Sequence, residues 1–379
     1  MAQAYDAIIA TIVVASDATS VTKAMVKSTQ WRAGTSGTWL STDCTLTAGN
    51  TYQFRTPLSG MDSGTTAILP NIKASVTVAW DTSATAISTV GNYFMYYYAS
   101  SCNKLTSLSV PDTSGLTSVG TNFMSYYARY CSGLTYLGVP DTSELTSVGN
   151  YFMRFYANGC SSLTSLSVPD TSGLTSVGTA FLSFYASSCN KLTSLSVPDT
   201  SGLTSVGNDF MYYYASSCSS LTSLGVPDTS KLTGTVGTNF MSFYAGSCTG
   251  LTSLILPSST GYFGSNNVDW SVPSGRLGLL YGYAPDSASQ TAWQGLTVSG
   301  KTLYTNYIQA TDHVLMIPQY GSSERNLYSV GKLTNSSEKN IYSCLLYTSD
   351  AADDLLCVDL GGGRIIKKKI KKKKKKAHT

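Results

Sequence analysis

The residues best suited to chemistry are carboxylates that return at a fixed interval. Asp112, Asp141, Asp170, Asp199 and Asp228 each follow a proline in the phrase Pro-Asp-Thr-Ser and are evenly spaced. Carboxylates one structural unit apart repel each other unless each is solvated, hydrogen-bonded or bridged by a cation. Calcium would fit, since it takes carboxylate and carbonyl oxygens. An aspartate after proline at a strand end is also ordinary turn chemistry, its oxygen accepting from the backbone just ahead. Turn chemistry is the preferred reading, and the ladder stays a weak metal candidate.

The cysteines keep the same beat. Cys102, Cys131, Cys160, Cys189, Cys218 and Cys248 share one repeat position, while Cys44, Cys344 and Cys357 are scattered. Stacked units would bring neighbouring repeat cysteines to roughly 5 Å. A buried ladder of small apolar side chains is the preferred reading, ahead of sporadic rung-to-rung disulfides. Metal ligation ranks last, because no second ligand type travels with the thiols. Catalysis has little to rest on. The histidines are His313 and His378, Asp312-His313 lacks a nucleophile partner, and Gly361–Gly363 has no strand–turn–helix around it. The expectation is a chain that is not an enzyme and needs no cofactor.

A repeat of this length signals a stacked-coil architecture. Within one unit Leu105, Leu108 and Val110 alternate with polar residues as a short strand, which Pro111 ends. Leu116 and Val119 make a second inward pair before Gly120. In Thr121–Cys131, Phe123, Tyr127 and Cys131 stand at i, i+4, i+8, with Met124 and Ala128 beside them, and that spacing predicts a helix. The fold class expected is thus an α/β solenoid: a stack of strand–turn–helix coils, curved because helices are wider than strands.

These residues carry a resemblance. Leu105-x-x-Leu108-x-Val110-Pro111, Leu116-Thr-Ser-Val119-Gly120, Phe123 and Cys131-x-x-Leu134 resemble the bacterial-surface (BspA-like) type of leucine-rich repeat. The usual unit there is shorter, and Phe123-Met124 stands where Ala-Phe is usual. The resemblance covers roughly residues 74–257. It implies a leucine-rich-repeat fold and a role in adhesion or protein binding, and it leaves the ligand open.

Four regions follow. Residues 1–72 are a small β-rich N-terminal domain or cap, with Trp31, Trp39, Leu46, Tyr52 and Phe54 as anchors and turns at Gly34–Gly37 and Ala48–Asn50. The apolar run Ile8–Ala15 follows Asp6 with no basic residue before it, and reads as a first element rather than a signal peptide. The solenoid occupies 73–257. Residues 258–343 form a mixed C-terminal cap, in which Tyr283-Ala284-Pro285 and Ala292–Leu296 are similar to the closing segment of the repeat family. Residues 344–379 abandon the style of the chain and resemble translated sequencing adapter, a non-native or disordered basic tail. That tail holds Arg364 and nine lysines against four aspartates, so the rest of the chain sums to about −2 of the total +4. A generally basic, nucleic-acid-seeking body is excluded by that difference, and no segment is long and apolar enough for membrane insertion.

A binding face is expected on the strand side, at Ser107, Tyr136, Ser165, Ser194 and Ser223, flanked by Ser109, Gly138, Ser167, Ser196 and Gly225. Apart from Tyr136 these are small, without the aromatic or arginine anchors of a specialised interface. The helical side is richer. Of the columns Tyr126, Phe155, Phe184, Tyr213, Phe243 and Tyr127, Tyr156, Tyr185, Tyr214, Tyr244, one is expected in the core and the other partly exposed, for coil packing, self-association or glycan stacking. Two functions are expected. One is a non-enzymatic surface or virion protein binding a protein or glycan on a cell surface. The other is a structural or assembly component, such as a phage tail or decoration protein, with the solenoid as rigid spacer. Both imply an extracellular, cell-surface or virion setting.

Overall fold

The computed structural model describes residues 7–264 apart from 65 and 82–87. It also describes the backbone of 281–284, 287–293, 297–298, 301–302, 304–307, 342–345, 354–359 and 365–369, and the side chains of 288–293. The chain is a parallel β-solenoid. Six coils run 91–119, 120–148, 149–177, 178–206, 207–236 and 237–264, each passing through a glycine corner and a turn-rich arm. The Pro-Asp-Thr-Ser turn follows in the first five, set between a first and a second strand in coils one, two and four. Coil five meets the second face at the single bridge Val206–Val236, and coil six runs from Ser253–Ile255 to Pro257 without that turn.

The strands are where alternation placed them. On one face Ser107–Leu108 pairs in parallel with Tyr136–Leu137, and further along Ser194–Leu195, Ser223–Gly225 and Ser253–Ile255 pair in turn. On the next face Thr89–Val90, Ser118–Val119 and Ser147–Val148 form one ladder and Ser176–Val177 with Ser205–Val206 another. Register is residue on equivalent residue, so leucine stacks on leucine and serine on serine. Coil three is the seam: residues 163–168 carry no strand, and the two ladders of the second face belong to separate sheets there.

The predicted helix is the main correction. Thr121–Cys131 and its counterparts are overlapping turns, and among the described residues the one α-helix is α1, Ser287–Trp293. Asn122, Met124, Tyr126 and Tyr130 have φ of 62°, 47°, 59° and 62°, and the other coils repeat the pattern. Left-handed values alternate with right-handed ones, which turns successive peptide planes in different directions. The N–H groups of Ser125, Tyr127 and Arg129 bond three residues back, to Asn122, Met124 and Tyr126. Those of Asn122, Tyr126, Ala128 and Tyr130 leave the coil for Asn150, Arg154, Tyr156 and Asn158 of the next, and Met124 N–H reaches back to Phe94.

An α-helix would keep all these donors internal and, at about 10 Å across, could not stack at strand spacing of about 4.8 Å. The turn arm can. Each left-handed non-glycine residue costs on the order of 1–2 kcal/mol, offset by exported hydrogen bonds of about 1 kcal/mol each and by complete burial of the arm's apolar side. With no α-helix in the described coils, the leucine-rich-repeat resemblance and the α/β class fall, and so does the width mismatch that predicted curvature.

The N-terminal region is β-rich. Strands β1 (Ala7–Val14), β2 (Val21–Lys23), β3 (Gln30–Ala33), β4 (Cys44–Leu46), β5 (Thr51–Pro57) and β6 (Ala74–Trp80) precede the coils. β1 lies antiparallel between β5 and β6, and β6 then pairs in parallel with Ser107–Leu108. One six-stranded sheet thus carries the N-terminal strands directly into the first coils. Leu46, Tyr52 and Phe54 are buried, while Trp31 and Trp39 are half-buried, the latter under the guanidiniums of Arg32 and Arg55. Ile68 and Leu69 N–H close the open carbonyl of Tyr98 on the first arm. At the other end Tyr281–Ala284 and Tyr304–Tyr307 extend the parallel sheet. Trp293 on α1 is buried against Phe263 and donates from Nε1 to Pro257 O at 2.9 Å. In the tail, Tyr342–Leu345, Asp354–Asp359 and Ile365–Lys369 pair antiparallel.

Candidate functional site

The Asp ladder is accounted for by its own turn. Asp112, Asp141 and Asp170 each accept at Oδ1 from both the N–H and the hydroxyl of the serine two residues on. Asp199 and Asp228 accept from Ser201 and Ser230 N–H. Those donors hold the Asp112 and Asp170 carboxyls below the usual aspartate range. The intervening threonine faces inward and links coils: Thr113, Thr142 and Thr200 hydroxyls donate to the carbonyls of Asp141, Asp170 and Asp228. Among the described residues no cluster of three metal-ligating side chains forms.

The six repeat thiols are free and buried. Cys102 points at Leu69 O of the N-terminal region at 3.3 Å and the others at the preceding coil, Cys131 to Ala99 O at 2.9 Å, Cys160 to Ala128 O at 3.1 Å and Cys189 to Ala157 O at 3.2 Å. Burial pushes the Cys102 and Cys189 thiols up to about 12, and those of Cys131, Cys160 and Cys218 well above their ordinary value. A thiol held neutral is a poor nucleophile.

Of the two aromatic columns, Tyr127, Tyr156, Tyr185, Tyr214 and Tyr244 is the core. Its rings stack at 5.3–5.6 Å, beside a phenylalanine column from Phe94 to Phe240. Each phenol crosses the interior to the strand face, Tyr127 to Ser109 O, Tyr185 to Ser167 O and Tyr214 to Ser196 O at 2.6, 2.7 and 2.9 Å. Tyr98, in the first coil, has a buried hydroxyl without a partner. The other column, Tyr126, Phe155, Phe184, Tyr213 and Phe243, is half-exposed, its rings 4.3–4.8 Å apart with planes within 18°. Ring faces cover each other along the stack, so solvent meets mainly edges.

Of the predicted strand-face positions, Ser107 pairs with Tyr136 and Ser194 with Ser223. Ser107 and Ser223 are half-exposed, Ser165 and Ser194 exposed, and Tyr136 stands out at 56%. Of the flanking set, Gly138 and Gly225 are buried while Ser167 and Ser196 are exposed. His313 and His378 lie outside the described residues. Among those residues no helix is long and apolar enough to cross a membrane.

Sequence reasoning missed an alternation with twice the repeat length. Asn92, Asn150 and Asn208 follow the corner glycine in odd coils, and Thr121, Thr179 and Thr238 in even ones. Each asparagine Oδ1 accepts from the N–H of the next coil's threonine at 2.8–2.9 Å. Further along the arm the same period appears as Tyr96, Arg154, Tyr212 against Ser125, Ser183, Ser242. Large side chains of odd coils lie over the exposed column, as Tyr212 does at the edge of Phe184 and Phe243. The signal was in the sequence, hidden by treating a single coil as the whole period. No family model, curated protein or solved structure matches the chain.

Proposed function

We propose that the chain is a non-enzymatic structural repeat protein, a stiff β-solenoid spacer that holds its flanking segments apart on a cell surface or virion. The observation that carries this reading is the arm, where the donors that leave one coil find carbonyls on the next. The groups able to do chemistry are engaged in the same internal work: carboxylates accept from serines, thiols and phenols donate to carbonyls. The exposed aromatic column supports the spacer reading over glycan binding, because a sugar stacks on ring faces and these faces are covered.

A second reading, a binding module for a protein on a cell surface, is favoured by one observation. Tyr136 and Tyr130, both in coil two, are 56% and 49% exposed where other coils carry serine or glycine. The two readings separate by experiment. Deleting residues 160–217 removes two coils in phase and should shorten the particle by about 10 Å in small-angle scattering, with attachment of cells or particles changing in step with length. Attachment that survives the deletion but is lost in Tyr130→Ser/Tyr136→Ser would overturn the spacer reading.

A further inference from the structure

Arginine occurs at two positions in the six coils, Arg129 and Arg154, in adjacent coils on the same arm. Both depart from the repeat: the equivalents of Arg129 are Ser100, Asn158, Ser187, Ser216 and Gly246, and Arg154 takes the place of Tyr96 and Tyr212. Their guanidiniums converge on one ring. Arg129 Cζ lies 5.1 Å and Arg154 Cζ 4.8 Å from the centre of Phe155, so the two charges share a single aromatic neighbour.

Aromatic edges and faces wall the pair in. Arg129 lies 4.3 Å from the Tyr130 ring and 5.3 Å from Tyr126, and Arg154 lies 5.6 Å from Tyr151. Both side chains are half-buried, and in both the Nε–H is buried without a partner. The one hydrogen bond of the pair is Arg129 Nη2 to Tyr130 Oη at 2.9 Å. The ion pairs among the described residues all lie in the N-terminal region, on Lys27, Arg55 and Lys73.

Two like charges therefore stand against one ring, partly desolvated, with both Nε–H groups unfilled and no carboxylate paired with either. Such an arrangement is unfavourable by itself and becomes favourable when an oxyanion bridges it, since a guanidinium fork matches carboxylate, sulfate or phosphate oxygens. We propose that Arg129 and Arg154 form a binding site for a single oxyanion group on the arm of coils two and three. The equivalent positions of the other coils carry no cation, so the site suits one isolated anionic group rather than a polyanion lying along the rod. This inference is independent of the spacer reading.

The test uses the full chain. Sulfate, phosphate and acetate are titrated against chloride at matched ionic strength, following Tm and the Nε–H signals of both arginines by NMR. A bound anion at ten times its Kd should raise Tm by roughly 3–6 °C and move both Nε–H resonances along one saturation curve. Comparison of the three anions separates carboxylate from sulfate and phosphate. Sulfate also stabilises proteins generally, and Arg129→Gln/Arg154→Gln retains that general rise but loses the saturable part. The same double variant is expected to be no less stable than the parent in chloride. Nε–H signals unmoved by all three anions, or an equal saturable rise in the double variant, would overturn the site.

Discussion

Gly207 sits at a corner where consecutive coils lie in close backbone contact, and adding one methyl group there tests the packing directly. A Cβ at Gly207 would lie 2.5 Å from Gly178 C, 2.7 Å from Gly178 O and 2.7 Å from Thr179 N. All three are backbone atoms of the preceding coil, so no side chain can swing aside. Relief requires moving one coil away from the other, against Gly207 N–H to Val177 O at 2.9 Å and Ala180 N–H to Asn208 O at 2.7 Å. Overpacking costs about 1–3 kcal/mol, and weakening the corner hydrogen bonds adds about 1 kcal/mol. Loss of unfolded-state freedom returns about 0.4–1 kcal/mol. Gly207→Ala should therefore destabilise by about 2–3 kcal/mol, a fall in Tm of roughly 5–10 °C. Gly91, at the same corner of the first coil, meets nothing within 4 Å, and Gly91→Ala should be neutral or slightly stabilising. Thermal and urea unfolding of the pair, followed by circular dichroism, decides the matter. Equal stability of the two variants would refute coil-on-coil contact at this corner.

Four further outcomes are expected. The repeat thiols and core phenols titrate later in the folded chain than in the unfolded one, so their stabilisation is complete below about pH 8.5 and falls as pH rises past it. Each thiol then contributes a loss of about 1.4 kcal/mol per pH unit, giving a steep alkaline unfolding edge, with iodoacetamide labelling of Cys131 and Cys160 appearing only at that edge. Deleting one coil, residues 160–188, sets Asn150 beside Asn208 and Arg154 beside Tyr212, and should lower the urea midpoint more than the in-phase deletion of 160–217. Calcium or chelator should leave Tm unchanged, and Asp170→Asn should cost about 1 kcal/mol through its weakened turn bonds, measured by urea unfolding.

Much of the interior was legible in one repeat. Leu105, Leu108, Leu116, Val119, Phe123, Met124, Tyr127, Ala128 and Cys131 were read as inward, and all are buried. The backbone that delivers them was not. Inward residues in Phe123-Met124, Tyr127-Ala128 and Cys131 come as pairs every four residues, which a helix and a chain of overlapping turns satisfy equally. Helix propensity then favoured the wrong one, because nothing local says that Met124 and Tyr126 adopt φ values ordinarily avoided by such side chains. What selects the turns is the neighbour, since exported hydrogen bonds exist only when another arm lies a strand's distance away. Asn122, Asp209 and Asn239, residues tolerant of positive φ at the first left-handed position, were the available local hint. The candidate site shared this fate: Asp and Cys could be judged from their repeat position, whereas the convergence of Arg129 and Arg154 on Phe155 required the true arm.

The arm also gives the rod an electrical direction. In a β-sheet peptide dipoles alternate and nearly cancel, and the two strand faces behave so. Along the arms of the first five coils four N–H groups, such as those of Tyr151, Phe155, Ala157 and Gly159, point toward the C-terminal end, and fewer, such as that of Met153, point back. With about 3.5 D for each peptide, the surplus adds from coil to coil instead of cancelling. The stack is a long dipole, positive at its C-terminal end, and its two ends are chemically unlike even where their sequences are nearly the same.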